Sequence, residues 1–175
     1  MPGVLVVTRA LGWYAASASI SDDGLYRYSL ERRWDPTYSR TQPTMAFVML
    51  NPSTADGGSD DPTIRRCISF AKREGCGALN VVNLFALRST DPTALFDADD
   101  PIGPENVDHL KRVMGYADIC VAAWGAFWWD HREQLARPYI EDFAHDVWCL
   151  GMTKAGQPRH PLYVRGDQPL VRWSA

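Results

Sequence analysis

The sequence predicts a three-layer α/β fold, in which helices cover both faces of a parallel sheet of about four strands. Short and continuously apolar runs such as 45–50 and 78–84 are typical of strands buried on both faces. Between such runs, apolar residues recur at helical spacing, so strands and helices alternate along this part of the chain. Residues 1–40 alternate polar and apolar side chains instead, which predicts a β-rich N-terminal extension.

The extension is predicted to consist of short antiparallel strands. Residues 4–8 and 14–20 form the first two apolar or alternating runs. Asp22-Asp23-Gly24 is a hairpin signal, and the residues after it alternate again, with Tyr26 and Tyr28 on one face and Arg27 on the other. We therefore expect the first 40 residues to pair with one another.

The core is predicted over residues 45–164 and begins with a strand at 45–50. After a polar loop, Asp61 supplies a helix N-cap and Pro62 suits the first helical position. The apolar run 78–84 is the second predicted strand. This succession of strand, helix and strand indicates a parallel crossover.

The same alternation is predicted to continue to the end of the core. Residues 88–103 form a long loop with no convincing element, after which Pro104 begins a helix. The third strand is predicted at 119–124, and a tryptophan-rich helix ends near Pro138. The fourth strand is predicted at 147–150.

Composition and charge limit the classes of function. A chain of 175 residues, 46% of them hydrophobic, suits one α/β domain over residues 1–175. Its net charge of -3 argues against a protein that coats nucleic acid by bulk electrostatics. The four cysteines show neither a CxxC pair nor zinc spacing, which predicts no metal site and favours a cytoplasmic setting. No apolar run approaches the roughly 18 residues of a membrane span, so no membrane partner is expected.

Two asparagines follow the two central apolar runs. Asn51 comes directly after the first strand, and Asn83 lies at the end of the second. The carboxyl ends of strands in an open parallel sheet form the ligand crevice, and a carboxamide suits the flat, amide-like edge of a nucleobase. The third strand ends at Trp124, and the segment after the fourth strand contains His160. We expect Asn51, Asn83 and His160 to converge on one crevice.

This order of motifs resembles the uracil-DNA glycosylase superfamily. The matching positions are Asn51-Pro52 after the first strand, Asn83 at the end of the second, and His160-Pro161 after the fourth. In that superfamily the first position orients a water molecule and the second reads the base, so the resemblance implies these roles for Asn51 and Asn83. It also implies a glycosylase-like architecture for residues 45–164.

A second resemblance covers nearly the whole chain. The strings Asn-Pro-Ser-Thr-Ala-Asp from Asn51, Asp-Pro-Thr-Ile-Arg-Arg-Cys from Asp61, and Gly-Gln-Pro-Arg-His-Pro-Leu-Tyr from Gly156 are similar to a bacterial domain-of-unknown-function family, family 1643. This resemblance implies no particular reaction. The prediction of function therefore depends on the chemistry of the strand ends.

These strand ends suit hydrolysis of an N-glycosidic bond. The reaction expels a base from an oxocarbenium-like sugar, so the departing base must be stabilised and a water molecule placed opposite it. His160 could donate a hydrogen bond to a base carbonyl, and Asn83 could pair with the base edge. Asn51 could position the water but is a poor base, so a missing acid is sought in Asp56 or Asp61.

Further residues near these motifs are predicted to bind the substrate. Arg65 and Arg88 could meet a phosphate, and Trp124 could stack on a base. Three neighbours of the motifs complete the predicted substrate site, namely Pro52, Ser53 and Leu162. We expect a nucleobase, a nucleotide, or a single-stranded or flipped-base nucleic acid as the partner, and no cofactor. The sequence does not indicate a protein partner.

Two other functions stay open. A non-catalytic nucleotide or nucleic-acid binding module would use the same pocket, and the weak base at Asn51 favours it. A metal-dependent phosphohydrolase would use Asp56, Asp60 and Asp61, although their spacing matches no calcium loop and one of them suits a helix cap. The same acidic loop would repel a phosphate backbone, which argues against duplex DNA as the substrate.

Overall fold

The structure of the chain, a computed structural model, describes residues 3–7, 15–36, 41–126, 138, 142 and 146–173. Its strands are β1 (Gly3–Val7), β2 (Ala15–Ile20), β3 (Arg27–Arg33), β4 (Thr44–Met49), β5 (Ala78–Asn83), β6 (Ile119–Ala122), β7 (Val147–Cys149) and β8 (Val171–Arg172). Its helices are α1 (Pro62–Arg73), α2 (Ala94–Asp97) and α3 (Asn106–Tyr116), followed by a 3-10 turn at Pro161–Tyr163. The tryptophan-rich helix predicted before Pro138 lies almost wholly outside the described residues.

All the described strands form one mixed sheet of eight, in the order β1-β2-β3-β5-β4-β6-β7-β8. The prediction of a three-layer fold on about four parallel strands is wrong. Strand β3 pairs antiparallel with β5, with Leu30 opposite Val81, so the N-terminal strands belong to the main sheet and antiparallel pairings are in the majority. An unpaired edge on β5 would expose a row of backbone donors and acceptors, and β3 covers that edge.

Alternate residues of β4 contribute to two separate cores because side chains of a strand point to opposite faces. Phe47 lies in one core with the buried side chains of α1, including Ile64. Val48 lies in the other core with Leu110 and Val113 of α3. Strands β4 and β5 are therefore covered on both faces, which explains their continuously apolar sequences.

Helix α1 begins where the sequence predicts it. The Asp61 side chain accepts a hydrogen bond from the backbone N–H of Ile64 at 2.8 Å, and Pro62 occupies the first turn. The predicted N-cap is thus confirmed. This cap holds the loop between β4 and α1 at the carboxyl end of β4.

Two segments differ from the predicted elements. The loop over 88–103 contains the short helix α2, which begins after a turn in which Asp91 accepts a hydrogen bond from the backbone N–H of Thr93. Near the C-terminus, β8 pairs with β7 although only two residues long, too short for an alternation pattern to reveal. No helix in the described part of the chain is long and apolar enough to cross a membrane.

Candidate functional site

A cavity of about 450 Å³ opens at the carboxyl ends of the central strands. Asn51 follows β4, Asn83 is the last residue of β5, and Trp124 follows β6, and all three side chains line the cavity. His160, from the segment after β7, lines it as well. The volume falls in the range of roughly 300–1,000 Å³ that small-molecule and cofactor sites occupy.

Asn83 has a buried side chain with no hydrogen-bond partner within the described part of the chain. The residue is 1% exposed, yet neither Oδ1 nor Nδ2 is bonded. Its backbone carbonyl, in contrast, accepts a hydrogen bond from Nδ2 of Asn106 at 2.9 Å. Buried polar groups are nearly always paired, so a cavity-lining carboxamide with both atoms unpaired is suited to a ligand with an adjacent donor and acceptor.

The Asn51 side chain is held by its amide nitrogen. Nδ2 donates to the carbonyl oxygens of Ser89 at 3.0 Å, Pro52 at 3.3 Å and Leu87 at 3.5 Å. These contacts fix the carboxamide, because a nitrogen engaged with carbonyls cannot exchange places with the oxygen. Oδ1 accepts no hydrogen bond from the described residues, which leaves an acceptor for a ligand or a water molecule.

His160 is a neutral hydrogen-bond donor at the cavity. Its Nδ1 accepts from the backbone N–H of Leu162 at 3.3 Å, so the neutral ring carries its proton on Nε2. Burial lowers the pKa of His160, and the smaller effect of the Asp61 charge opposes this. The ring packs on Gly125, whose φ of +85° favours glycine and where an added Cβ would lie 3.1 Å from the Cβ of His160.

Two contacts hold the Trp124 side chain in place at the cavity. Its Nε1 donates to Oε1 of Gln157 at 2.8 Å, and its ring meets Trp173 edge to face at 5.2 Å. The side chain is buried and lines the cavity. The indole therefore forms a rigid apolar wall for a flat ligand.

One of the three loop carboxylates lines the cavity, and it is Asp61. Asp56 does not line it and accepts from the backbone N–H of Gly58 at 2.8 Å, while Asp60 pairs with Arg32 at 2.8 Å. In the described residues, no set of three or more histidine, cysteine or acidic side chains lies where it could hold a metal ion. The acid available to a ligand is therefore Asp61, whose second carboxylate oxygen is not used in the helix cap.

The other predicted substrate-binding residues divide into two groups. Ser53 lines the cavity beside the asparagines. Pro52, Arg65, Arg88 and Leu162 do not line it. Arg65 and Arg88 each donate to a backbone carbonyl oxygen in a neighbouring loop, and the Leu162 side chain is exposed.

Arg27 lines the cavity, and sequence reasoning did not identify it as a site residue. It is 2% exposed, Nη1 donates to the carbonyl oxygen of Ala55 at 2.6 Å, and Nε has no partner among the described residues. Burial lowers the pKa of Arg27 to about 10, so the side chain is charged at neutral pH. Its alternation with Tyr26 and Tyr28 predicts only that it lies on the opposite face of the strand, and the burial of that face depends on the loop at Ala55, which is distant in sequence.

Comparison with known proteins yields one match. The model of a family described as "Protein of unknown function (DUF1643)" matches residues 27–162. The matched range begins at Arg27 and contains Asn51, Asn83, Asp61 and His160. No curated protein and no solved structure matches the chain.

Proposed function

The chain belongs to the DUF1643 family of proteins of unknown function, and we propose that its cavity recognises a nucleobase and that the protein hydrolyses an N-glycosidic bond. The observation that carries the proposal is the unpaired carboxamide of Asn83, buried at the end of β5 in the wall of the cavity. The edge of a base presents a donor and an acceptor side by side, which would satisfy both atoms of this side chain.

The proposal includes a distant similarity to the uracil-DNA glycosylase superfamily. Its support is the shared order of Asn51-Pro52, Asn83 and His160-Pro161 along the chain, together with the position of the three polar side chains around one cavity. The similarity concerns these polar groups and not the architecture of the sheet, which is mixed.

In the proposed reaction, His160 stabilises the departing base. When the bond between the sugar and the base breaks, its electron pair moves to the base, and negative charge develops on a base carbonyl oxygen. The Nε2–H of the neutral ring donates to that oxygen without giving up its proton. A preorganised donor of this kind contributes roughly 3 kcal/mol to catalysis. The base then takes up a proton from solvent.

The attacking water is oriented by Asn51 and deprotonated by Asp61. Oδ1 of Asn51 accepts a hydrogen bond from the water, whose oxygen forms the new bond to the anomeric carbon. The proton of the water passes to the free carboxylate oxygen of Asp61, which supplies the base that an asparagine lacks. Asp56 has no role in this proposal because it does not line the cavity.

The test is release of free base from a panel of nucleosides, nucleoside monophosphates and uracil-containing single-stranded oligonucleotides, followed by chromatography. Asn83→Ala is expected to weaken substrate binding by about 1–3 kcal/mol because the base edge loses its partner. Asp61→Asn keeps the helix cap, since both residues cap well, but removes the proton acceptor. It should abolish release and leave binding intact, whereas the control Asp56→Asn should keep both.

A non-catalytic binding module is the second candidate. The observation that favours it is the amide at Asn51, which holds water but does not activate it. Binding of nucleosides or nucleotides without release of base from any member of the panel would support this module and refute the hydrolase. If the folded Asn83→Ala variant binds as tightly as the wild type, the base-reading role is wrong in either form.

A further inference from the structure

Arg27 is a buried cation with little local compensation. It is 2% exposed and forms no ion pair with a described carboxylate. The single hydrogen bond that its guanidinium makes to described residues uses Nη1, and the buried Nε–H has no partner. An arginine carries five N–H donors, so most of its bonding capacity is unused.

Charges of both signs surround Arg27. Asp61 and Asp56 favour its charged form, while Arg88 and Arg32 oppose it. No described carboxylate forms an ion pair with Arg27, so its charge has no direct partner among these neighbours. An isolated buried charge is strongly unfavourable unless it is paired and hydrogen-bonded.

Arg27 lines the same cavity as Asn83. A ligand that fills this cavity can therefore contact the guanidinium and the carboxamide together. The cavity volume of about 450 Å³ accommodates a ligand larger than a free base. A planar guanidinium with several free N–H donors is the side chain best suited to a phosphate.

We infer that Arg27 forms an anion subsite and that the ligand is a nucleotide, with its phosphate on Arg27 and its base on Asn83. This inference rests on the proposed function for the base and adds the phosphate. The substrate class is accordingly a nucleoside monophosphate, or a terminal or flipped nucleotide of a single strand that presents the same group. A free base or an unphosphorylated nucleoside leaves Arg27 unpaired and binds less tightly.

The experiment is isothermal titration calorimetry with matched pairs of ligands. Each common nucleoside is compared with its 5′-monophosphate, and inorganic phosphate is titrated alone. The wild type should bind the cognate monophosphate about 10- to 100-fold more tightly than the nucleoside, the range expected of charge-assisted hydrogen bonds. Inorganic phosphate should compete with the monophosphate and not with the nucleoside, a result that needs no variant.

Arg27→Gln tests the residue itself. Glutamine can still donate to the carbonyl oxygen of Ala55 but carries no charge. The affinities for the nucleoside and for its 5′-monophosphate should therefore become equal within about threefold. Arg27→Lys should retain part of the difference. The control is Arg88→Gln, since Arg88 lies near Arg27 but does not line the cavity, and it should keep the preference for the phosphate.

The outcomes separate this inference from the proposed function. Equal wild-type affinity for nucleoside and monophosphate overturns the anion subsite, even if Asn83→Ala weakens both. If Arg27→Gln removes the phosphate preference and Asn83→Ala leaves the affinities for nucleoside and monophosphate both unchanged, the subsite is supported and base reading is refuted. Tighter binding of a 5′-phosphorylated oligonucleotide than of the monophosphate identifies the strand end as the source of the phosphate. A preference that survives Arg27→Gln overturns the assignment.

Discussion

Two regions of the molecule use the same kinds of buried polar side chain in opposite ways. Arg27 and Arg32 lie on the same strand and are 2% and 0% exposed. Within the described part of the chain, Arg32 forms five hydrogen bonds, including an ion pair with Asp60 at 2.8 Å, whereas the Arg27 guanidinium forms one. We call Arg32 and Asp60 the anchor and compare them with the cavity residues.

The asparagines show the same contrast. Asn106 is fully buried, and its Nδ2 donates to the carbonyl oxygens of Asn83 and Leu84 at 2.9 and 3.2 Å. Asn83 is equally buried, and both of its side-chain atoms are unpaired. Burial therefore does not distinguish structural from functional polar groups here. Asn83 differs in that both of its side-chain atoms lack a partner among the described residues and in that it lines the cavity, whereas Asn106 lacks one only for Oδ1.

The largest effect is expected in the anchor. Asp60→Asn leaves the charge of Arg32 buried without its partner, so the free energy of unfolding should fall by about 3–5 kcal/mol in urea denaturation. The control is Asp167→Asn, which breaks an exposed pair with Arg165 and should leave stability nearly unchanged. Similar losses for the two variants would show that the anchor is not a stabilising unit.

The next effect compares one substitution at the two asparagines. Asn106→Leu removes the donor from two buried carbonyls and should lower the free energy of unfolding by about 1–3 kcal/mol. Asn83→Leu removes a side chain with no partner, so stability should be unchanged or higher while nucleotide binding is lost. Chemical denaturation measures the stability of both variants, and calorimetry measures their nucleotide binding. A clear loss of stability in Asn83→Leu would contradict the assignment of Asn83 to the ligand.

A smaller effect is expected at two glycines with positive φ. Gly156→Ala, at φ +74° with open space around it, should cost about 1–2 kcal/mol from backbone strain alone. Gly125→Ala adds a Cβ at 3.1 Å from the Cβ of His160, so it should cost more and also displace the imidazole. Nucleotide binding should fall in Gly125→Ala and persist in Gly156→Ala. Equal nucleotide binding by both variants would show that His160 does not contribute to binding at the site.

Local sequence patterns predict the parts of this molecule that depend on neighbouring residues. The N-cap at Asp61 follows from its position before Pro62, and a strand over about 78–84 follows from the apolar run, although β5 ends at Asn83. The polar groups at the ends of β4 and β5 can also be predicted, because each lies at the end of an apolar run. Each feature is determined within a few residues along the chain.

The features that sequence reasoning missed depend on distant contacts. The pairing of Leu30 with Val81 joins segments that are far apart along the chain, and no periodicity within β3 indicates its partner. That pairing changes the sheet from parallel to mixed, and Arg27 is buried against Ala55, 28 residues further along the chain. The sequence also does not decide whether Asp61 or Asp56 lines the cavity. That depends on the folded loop, in which Asp56 accepts a hydrogen bond from the backbone N–H of Gly58.

The smallest effect is expected in the pH dependence of stability and of binding, where His109 is compared with His160 of the cavity. Burial and the neighbouring Arg112 lower the pKa of His109 to about 4, from an ordinary value of 6.5, and the ring stacks on Tyr28 at 5.1 Å. Below pH 6.5 the unfolded chain takes up a proton that the folded chain does not, so stability falls as the pH falls.

Between pH 6.5 and 5.5 the loss from His109 should be about 1 kcal/mol, because one group contributes at most about 1.4 kcal/mol per pH unit. Urea denaturation at pH 7.5, 6.5 and 5.5 measures it, and His109→Gln should flatten the dependence. Burial also lowers the pKa of His160 from its ordinary value of 6.5, so the ring is mainly neutral at pH 6.5 and above. Nucleoside binding should therefore be constant from pH 7.5 to 6.5, and the nucleoside is the ligand of choice because the phosphate of a monophosphate has a second pKa of about 6. A loss of binding over that interval would show that His160 is charged when the ligand is bound, and the electrostatic role proposed for its neutral ring would be wrong.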